Sequence, residues 1–166
     1  MKRNSFILSL LLIVSPLNSS CKKNEALSEF NEKSTVKKEL VLKLINSYRT
    51  SDCNCGTAGN FASTTPVKWN DTLELAAKIH ATDMYVNHFF NHTGSDGSSM
   101  SDRIKRLGYN WKTCGENIGK GYINEEQVVK GWINSPGHCS NIMNPDFTEI
   151  GMARVGDYWS LVLGTR

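Results

Sequence analysis

The C-terminal end of the chain constrains its fold more than any other segment. The apolar runs FTEIGMARV and YWSLVLG flank the pair Gly156-Asp157. Two β-prone runs on either side of a short glycine-containing turn predict two antiparallel strands. A sheet must bury its apolar surface against other elements, so the preceding segments are expected to supply helices that cover it.

Apolar residues recur at three- and four-residue spacing in the rest of the chain, which predicts helices. The first stripe begins after Thr35 and consists of Val36, Leu40, Val41, Leu44, Ile45 and Tyr48. A second helix opens at Asn70, a short one covers MSDRIKRL and stops at Gly108, and a fourth covers NEEQVVKGWIN. The segment TCGENIGKG adds a β-prone stretch. This order predicts an α+β fold in which helices pack on a small mixed or antiparallel sheet.

The first 20 residues have the pattern of a secretory signal. Lys2 and Arg3 precede the apolar run from Phe6 to Val14, which is too short to cross a bilayer core that needs about 20 residues. Small polar residues then lead to Cys21, as in a bacterial lipoprotein signal whose cysteine becomes lipid-modified. The sequence therefore predicts a signal peptide at 1–20, a flexible polar tether at 21–34 and one domain at 35–166.

These features predict an exported protein of the cell envelope that is held at a membrane by a lipid on Cys21. An ordinary cleaved signal is the alternative, and it would release the protein instead. Loss of residues 1–20 removes two basic residues and no acidic one, so the formal net charge falls from +3 to +1. A nearly neutral surface gives no electrostatic reason to expect a nucleic-acid partner.

Four cysteines follow Cys21, and an even number in an exported chain favours disulfides. They are Cys53, Cys55, Cys114 and Cys139. The sequence alone does not choose among the three pairings that four cysteines allow. A zinc site is the alternative use, but Cys53-Asn54-Cys55 lacks the usual spacer of two to four residues.

Several motifs together resemble the bacterial branch of the CAP superfamily, named for cysteine-rich secretory proteins, antigen 5 and plant pathogenesis-related proteins. They are NHTGSDG with His92, GENIG with Glu116, SPGHCSNIMNP with His138, and FTEIG followed by YW. Trp69-Asn70 before the second helix and the run from Trp132 to His138 also match, in the order of the family. The resemblance implies a CAP-type α-β-α sandwich, a small central sheet with helices on both faces, in a lipoprotein of this branch.

The resemblance also implies a cleft lined by His92, Glu116 and His138, which in some members holds a divalent metal, often zinc. Two imidazoles and a carboxylate are a common zinc-binding set. Glycine-rich loops could bring these three residues together. The chain departs from eukaryotic members at Asp146, which stands where they carry a second cleft histidine, and their second glutamate has no clear counterpart. A purely structural interpretation stays open, in which Glu116 binds loop amides, His138 caps the turn after Pro136 and His92 is exposed to solvent.

Two further expectations concern disulfides and function. Bacterial relatives imply a Cys55–Cys139 disulfide, which leaves Cys53 and Cys114 as the second pair. The favoured function is a cleft that binds a metal, such as Zn²⁺ or another divalent ion, a small ligand or a protein partner, without defined catalysis. One alternative is a metal-dependent hydrolase of peptide or cell-wall material with Glu116 as general base. Another is a module for lipid or sterol binding or for adhesion, with Phe89 and Phe90 beside an apolar groove.

Overall fold

A computed structural model describes residues 36–166 of the 166-residue chain. The predicted signal peptide at 1–20, the lipidation site at Cys21, the tether at 21–34 and the first residue of the predicted domain lie outside the described residues. Within 36–166, no helix combines the length and the apolar character that a membrane crossing requires.

A mixed four-stranded sheet forms the centre of the domain. Its strands are β3 (Lys68–Trp69), β4 (Thr113–Lys120), β5 (Glu149–Val155) and β6 (Tyr158–Thr165), in the order β3-β5-β6-β4. β3 pairs with β5 in parallel, and the other two pairings are antiparallel. A separate two-stranded pair, β1 (Cys53–Asn54) and β2 (Asn60–Phe61), flanks a short 3₁₀ turn at Gly56–Ala58.

Within residues 36–166, five α-helices cover both faces of the sheet, as the α-β-α prediction requires. They are α1 (Lys38–Arg49), α2 (Asp71–Val86), α3 (Met100–Arg106), α4 (Glu125–Ile133) and α5 (Pro136–Met143). One apolar layer joins α1, α4 and α5 to the sheet through residues that include Ile45, Trp132, Ile142, Ile150, Trp159 and Leu161. The other joins α2 and α3 to the opposite face through Leu73, Ala76, Ala77, Ile104, Ala153 and Val162. The predicted fold class is therefore confirmed.

The hairpin and four of the helices also match the sequence-based prediction. Gly156 takes the positive φ of +59° in the turn between β5 and β6. Asn70 and Asn124 cap α2 and α4, because their side chains accept hydrogen bonds from first-turn amides. Local patterns of this kind determine these elements, so the sequence is enough to place them.

The segment SPGHCSNIM is not a glycine-rich loop, which corrects the expectation that loops carry all three cleft residues. It forms helix α5, with Pro136 in the first turn, where its fixed φ suits a helix and its missing N–H costs nothing. Only His92, of the three predicted cleft residues, lies in a loop. Glu116 lies in strand β4, and His138 lies in the first turn of α5.

Helix α2 approaches the sheet more closely than side chains would normally allow. At Gly151 of β5, an added Cβ atom would overlap backbone atoms of Leu73 and Glu74. Glycine is therefore required here to let the first turn of α2 lie directly on the strand. This contact positions α2 and, through it, the loop that carries His92.

Candidate functional site

The candidate site surrounds strand β4, which lies at the edge of the central sheet. Successive residues of a strand point to opposite faces, so Glu116 and Asn117 project to different sides. The free edge is covered by hydrogen bonds to its carbonyls. Trp132 Nε1 donates to Ile118 O at 2.9 Å, and Asn141 Nδ2 donates to Glu116 O at 3.3 Å. Helices α4 and α5 are thereby attached to the strand that carries Glu116.

Glu116 is the centre of a buried charged cluster. Its side chain is only 3% exposed, whereas that of His92 is 55% exposed. His92 Nδ1 donates to Glu116 Oε1 at 2.7 Å, since a carboxylate can only accept. Arg103 Nη2 donates to Glu116 Oε2 at 2.8 Å. Both oxygens of Glu116 are thus engaged, one by a half-exposed imidazole and one by a buried guanidinium.

His80 lies behind this pair and completes the cluster. It is fully buried, its Nε2 donates to the carbonyl of Asn91 at 2.9 Å, and the same nitrogen lies 3.9 Å from Glu116 Oε1. Burial lowers the pKa of His80, which favours the neutral imidazole. His80 is therefore a buried, hydrogen-bonded histidine on the apolar stripe of α2.

Arg103 connects the Glu116 cluster to the loop that carries His92. It lies on α3, whose start is fixed by a capping box between Ser99 and Asp102. Besides binding Glu116, its guanidinium donates to the carbonyl of His92 at 3.1 Å and to that of Ser98 at 3.0 Å. Arg103 thus fixes the backbone of His92 and the carboxylate that binds the imidazole of the same residue.

His138 reaches the site from the other side of β4. Asn117 Nδ2 donates to the carbonyl of His138 at 3.0 Å, and Asn141 Nδ2 donates to Asn117 Oδ1 at 3.0 Å. Burial lowers the pKa of the His138 imidazole, and its electrostatic interaction with His92 lowers that pKa further. His138 is therefore held near His92 and favours the neutral form, which is the form that binds metals.

Arg49 holds the opposite end of α5. It is completely buried and donates through Nη1 to the carbonyls of Ile142 at 2.6 Å and Asn144 at 2.9 Å. A cation at the C-terminal end of a helix satisfies carbonyls that have no partner within the helix and matches the helix dipole. Both ends of the helix that carries His138 are therefore fixed.

The three predicted cleft residues are gathered only in part. His92 and Glu116 are in direct contact, and they line a hollow of about 490 Å³ together with Trp111, Cys114 and the start of α3. His138 interacts electrostatically with His92 from beyond the edge of β4. Among residues 36–166, the one His/Cys/Asp/Glu trio whose ligand atoms all lie within 4.8 Å of one another is Cys53, Cys55 and Cys139. In this conformation the cleft trio is thus more open than a direct metal-binding cluster.

Two residues of the site were missed by the sequence analysis. Arg103 occupies the stripe formed by Met100, Ile104 and Leu107, and a charged residue on such a stripe is a signal that it has a buried partner. Asn117 stands beside Glu116 in the GENIG motif and is fully buried. Nothing in its sequence context indicates that it binds the backbone of α5.

The disulfide predictions have different outcomes. Cys55 and Cys139 form a disulfide, as the resemblance implied. The predicted Cys53–Cys114 pair is wrong, because both cysteines carry free thiols in this structure. Cys114 packs between the sheet and helices α2 and α3, whereas Cys53 packs in a cluster with Cys55, Cys139 and Met143. The two thiols belong to different apolar clusters, so they cannot be joined without rearrangement.

The chain is similar to several bacterial proteins. It is 41% identical over 97 residues to the uncharacterized protein YkwD of Bacillus subtilis, covering 57% of this chain and 38% of that protein. It is 30% identical over 94 residues to the uncharacterized membrane protein YlbC of the same organism, covering 57% of this chain and 27% of YlbC. The chain thus spans well under half the length of these two relatives.

Solved structures share the fold. An extracellular SCP-domain protein from Bacillus anthracis superposes with a TM-score of 0.69 at 22% identity, covering 92% of this chain and 45% of that chain. An outer surface protein from Borrelia burgdorferi superposes with a TM-score of 0.61 at 23% identity, covering 87% of this chain and 95% of that chain.

The model of the cysteine-rich secretory protein family matches residues 42–162, which include every cleft residue described above. The match covers most of the chain and nearly all of the central sheet. The chain therefore belongs to the cysteine-rich secretory protein (CAP) family.

Proposed function

We propose that this protein is an exported binding module whose cleft takes up a divalent metal, with Zn²⁺ the best chemical match, through the imidazoles of His92 and His138. The observation that carries the proposal is the 2.7 Å hydrogen bond from His92 Nδ1 to the buried Glu116. A metal-binding histidine commonly donates its other ring N–H to a carboxylate, which fixes the ring and strengthens the ligand. In this arrangement His92 Nε2 is the nitrogen left for a metal.

The donor set fits zinc better than it fits calcium or magnesium. Neutral imidazoles are typical zinc ligands, whereas the other two ions prefer sets of oxygen ligands. Glu116 acts as the partner of His92, because Arg103 already occupies its second oxygen. Two protein ligands leave coordination positions for water or for a donor group of a ligand. The bound ion would supply positive charge at the mouth of the cleft.

Zinc titration of the full-length protein tests this proposal. Loss of a residue that only orients a metal ligand weakens metal binding by roughly 10- to 100-fold. His92→Ala and His138→Ala each remove a ligand itself, so we expect each to weaken Zn²⁺ binding by more than this. Glu116→Gln should fall within that 10- to 100-fold range. The matched control is His88→Asn, because His88 is exposed, and Asn tolerates its positive φ of +54°. Isothermal titration calorimetry measures all four variants.

An unchanged zinc affinity in both His92→Ala and His138→Ala would exclude the metal site. The same protein, incubated with peptide substrates, tests the hydrolase alternative. Cleavage that stops with a chelator and returns with zinc would replace the binding role with a catalytic one. Zinc binding without cleavage supports the binding module.

We further propose that a lipid on Cys21 holds the domain at the cell envelope. The N-terminal sequence pattern supports this anchor, as do the extracellular, outer-surface and membrane descriptions of its relatives. Cys21→Ser should remove the protein from the membrane fraction of the producing bacterium, because the acceptor sulfur is lost. Fractionation followed by immunoblotting measures the change, with Cys114→Ser as the control cysteine. A Cys21→Ser protein that stays in the membrane fraction would contradict the lipid anchor.

A further inference from the structure

Three sulfur atoms lie together beside the first turn of α5. Cys55 and Cys139 form the disulfide, and the free thiol of Cys53 lies 3.8 Å from Cys139 Sγ. All three sulfurs lie within 4.8 Å of one another. A non-bonded thiol at this distance from a disulfide sulfur is at van der Waals contact. Thiol–disulfide exchange occurs when a thiolate attacks one sulfur of a disulfide, in line with the S–S bond. Cys53 Sγ lies to the side of the Cys55–Cys139 bond, so the Cys53 side chain must rotate to face Cys139 Sγ from the side opposite Cys55 before it reacts.

The local backbone explains why two cysteines face the same partner. Cys53 lies in β1, Asn54 follows, and Cys55 precedes the 3₁₀ turn at Gly56–Ala58. Four hydrogen bonds close this turn. Ala58 N donates to Cys55 O, Gly59 N to Gly56 O, Cys55 N to Gly59 O, and Gly56 N to the side chain of Asn54. The tight bend brings Cys53 and Cys55, which are two residues apart, to the same point on α5.

The three sulfurs differ in their access to solvent. Cys139 is fully buried and Cys55 is 2% exposed. Cys53 is half-buried and lines a surface hollow of about 580 Å³ with Asp52, Asn54 and Phe61 among its walls. Cys53 is the one of the three sulfurs that carries a proton, and its exposure lets it lose that proton to water. Burial raises the pKa of the Cys53 thiol, so mildly alkaline pH is the condition under which it should react.

We propose that Cys53, Cys55 and Cys139 form a thiol–disulfide exchange site with two disulfide isomers. The Cys53 thiolate attacks Cys139 Sγ, the Cys53–Cys139 bond forms, the Cys55–Cys139 bond breaks, and Cys55 leaves as a thiolate. Cys55 then takes up a proton equivalent to the one that Cys53 lost. One disulfide and one thiol are present before and after, so the step needs no oxidant or reductant.

The exchange has an asymmetric effect on the structure. Cys139, the residue after His138, stays bonded to the β1 segment in both isomers, so α5 remains fixed beside β4. Cys55 alone is released, and with it the covalent constraint on the Gly56–Ala58 turn. The site therefore changes the loop beside α5 without detaching the helix that presents His138. This inference does not depend on metal binding.

Disulfide mapping of the full-length protein tests the exchange. The wild type is incubated at pH 8.5, quenched in acid and digested with pepsin, a protease that works in acid. The low pH keeps the thiols protonated, which stops further exchange. Fragment ions from cleavage between residues 53 and 55 then identify the cysteine bonded to Cys139. We expect both linkages, in a ratio that is independent of protein concentration because the reaction is intramolecular. A wild type that contains only the Cys55–Cys139 linkage after one day at pH 8.5 overturns the proposal.

Three variants identify the attacking thiol. Cys53→Ser should abolish the second linkage. Cys114→Ser should leave the ratio unchanged, because Cys114 packs in a different cluster and is not the attacking thiol. Cys55→Ser should contain the Cys53–Cys139 linkage in nearly all molecules. A Cys114→Ser protein that loses the second linkage would assign the exchange to Cys114 and exclude the proposed site.

Discussion

Replacing Gly151 with alanine is expected to lower the free energy of unfolding of the domain strongly. The new Cβ atom would overlap backbone atoms of Leu73 and Glu74, and backbone cannot move aside as the end of a flexible side chain can. Helix α2 would have to shift away from β5. Overpacking of a well-packed core costs about 1–3 kcal/mol and occasionally more. We expect the Gly151→Ala change to lower the free energy of unfolding by an amount at or above the upper end of that range. Such a loss is a large share of the roughly 5–15 kcal/mol that stabilises a typical domain.

Urea denaturation followed by circular dichroism measures this effect. Gly137→Ala is the matched control, because Gly137 lies in helix α5 and has no atom within 4 Å of an added Cβ. Alanine in a helix is favoured over glycine by about 1 kcal/mol, so the control should keep or raise the urea midpoint. Equal urea midpoints for the two alanine variants would contradict the close contact between the first turn of α2 and Gly151.

The sequence was sufficient for elements whose signals are local. The hairpin at Gly156 and the helix caps at Asn70 and Asn124 depend on residues a few positions apart, so pattern and spacing identified them. Helix α5 was missed because Pro136-Gly137 also suits a turn. Its helical state depends on distant partners, namely Arg49 at one end and Asn117 at the other. A single sequence does not display such contacts.

The site was predictable in its residue types but not in its geometry. The family motifs indicated His92, Glu116 and His138, and the structure places the first two in contact. The place of Arg103 on the apolar stripe of α3 indicates a buried partner, but the sequence does not identify that partner as Glu116, because the two residues lie on different elements that only the fold brings together. The Cys53–Cys114 pairing failed for a related reason. It was the pair that remained once the resemblance joined the other two cysteines, whereas the packing on the two faces of the sheet determines which sulfurs can meet.

Arg103→Met is expected to destabilise the domain by about 3–5 kcal/mol, because removal of one partner of a buried ion pair leaves the other as an uncompensated charge. The Glu116 carboxylate would lose its charged partner while only 3% exposed. The carbonyl of His92 would lose its hydrogen bonds from Arg103 as well, and that of Ser98 would keep only the one from Gly94 N. The matched control is Arg106→Met on the same helix. Its ion pair with Asp96 is more than half exposed, and exposed pairs contribute little.

A double-mutant cycle with Glu116→Gln separates the ion pair from the packing of Arg103. Arg103→Met combined with Glu116→Gln removes both charges, so it should be less destabilising than the sum of the two single changes, by about 0.5–3 kcal/mol. Additive losses, or equal losses for Arg103→Met and Arg106→Met, would contradict a stabilising pair. Because Arg103 binds both the backbone of His92 and the carboxylate that orients its ring, the folded Arg103→Met protein should also bind Zn²⁺ about 10- to 100-fold more weakly. Loss of both stability and zinc affinity distinguishes a residue that positions the cleft from one that only fills the core, which would lower stability alone.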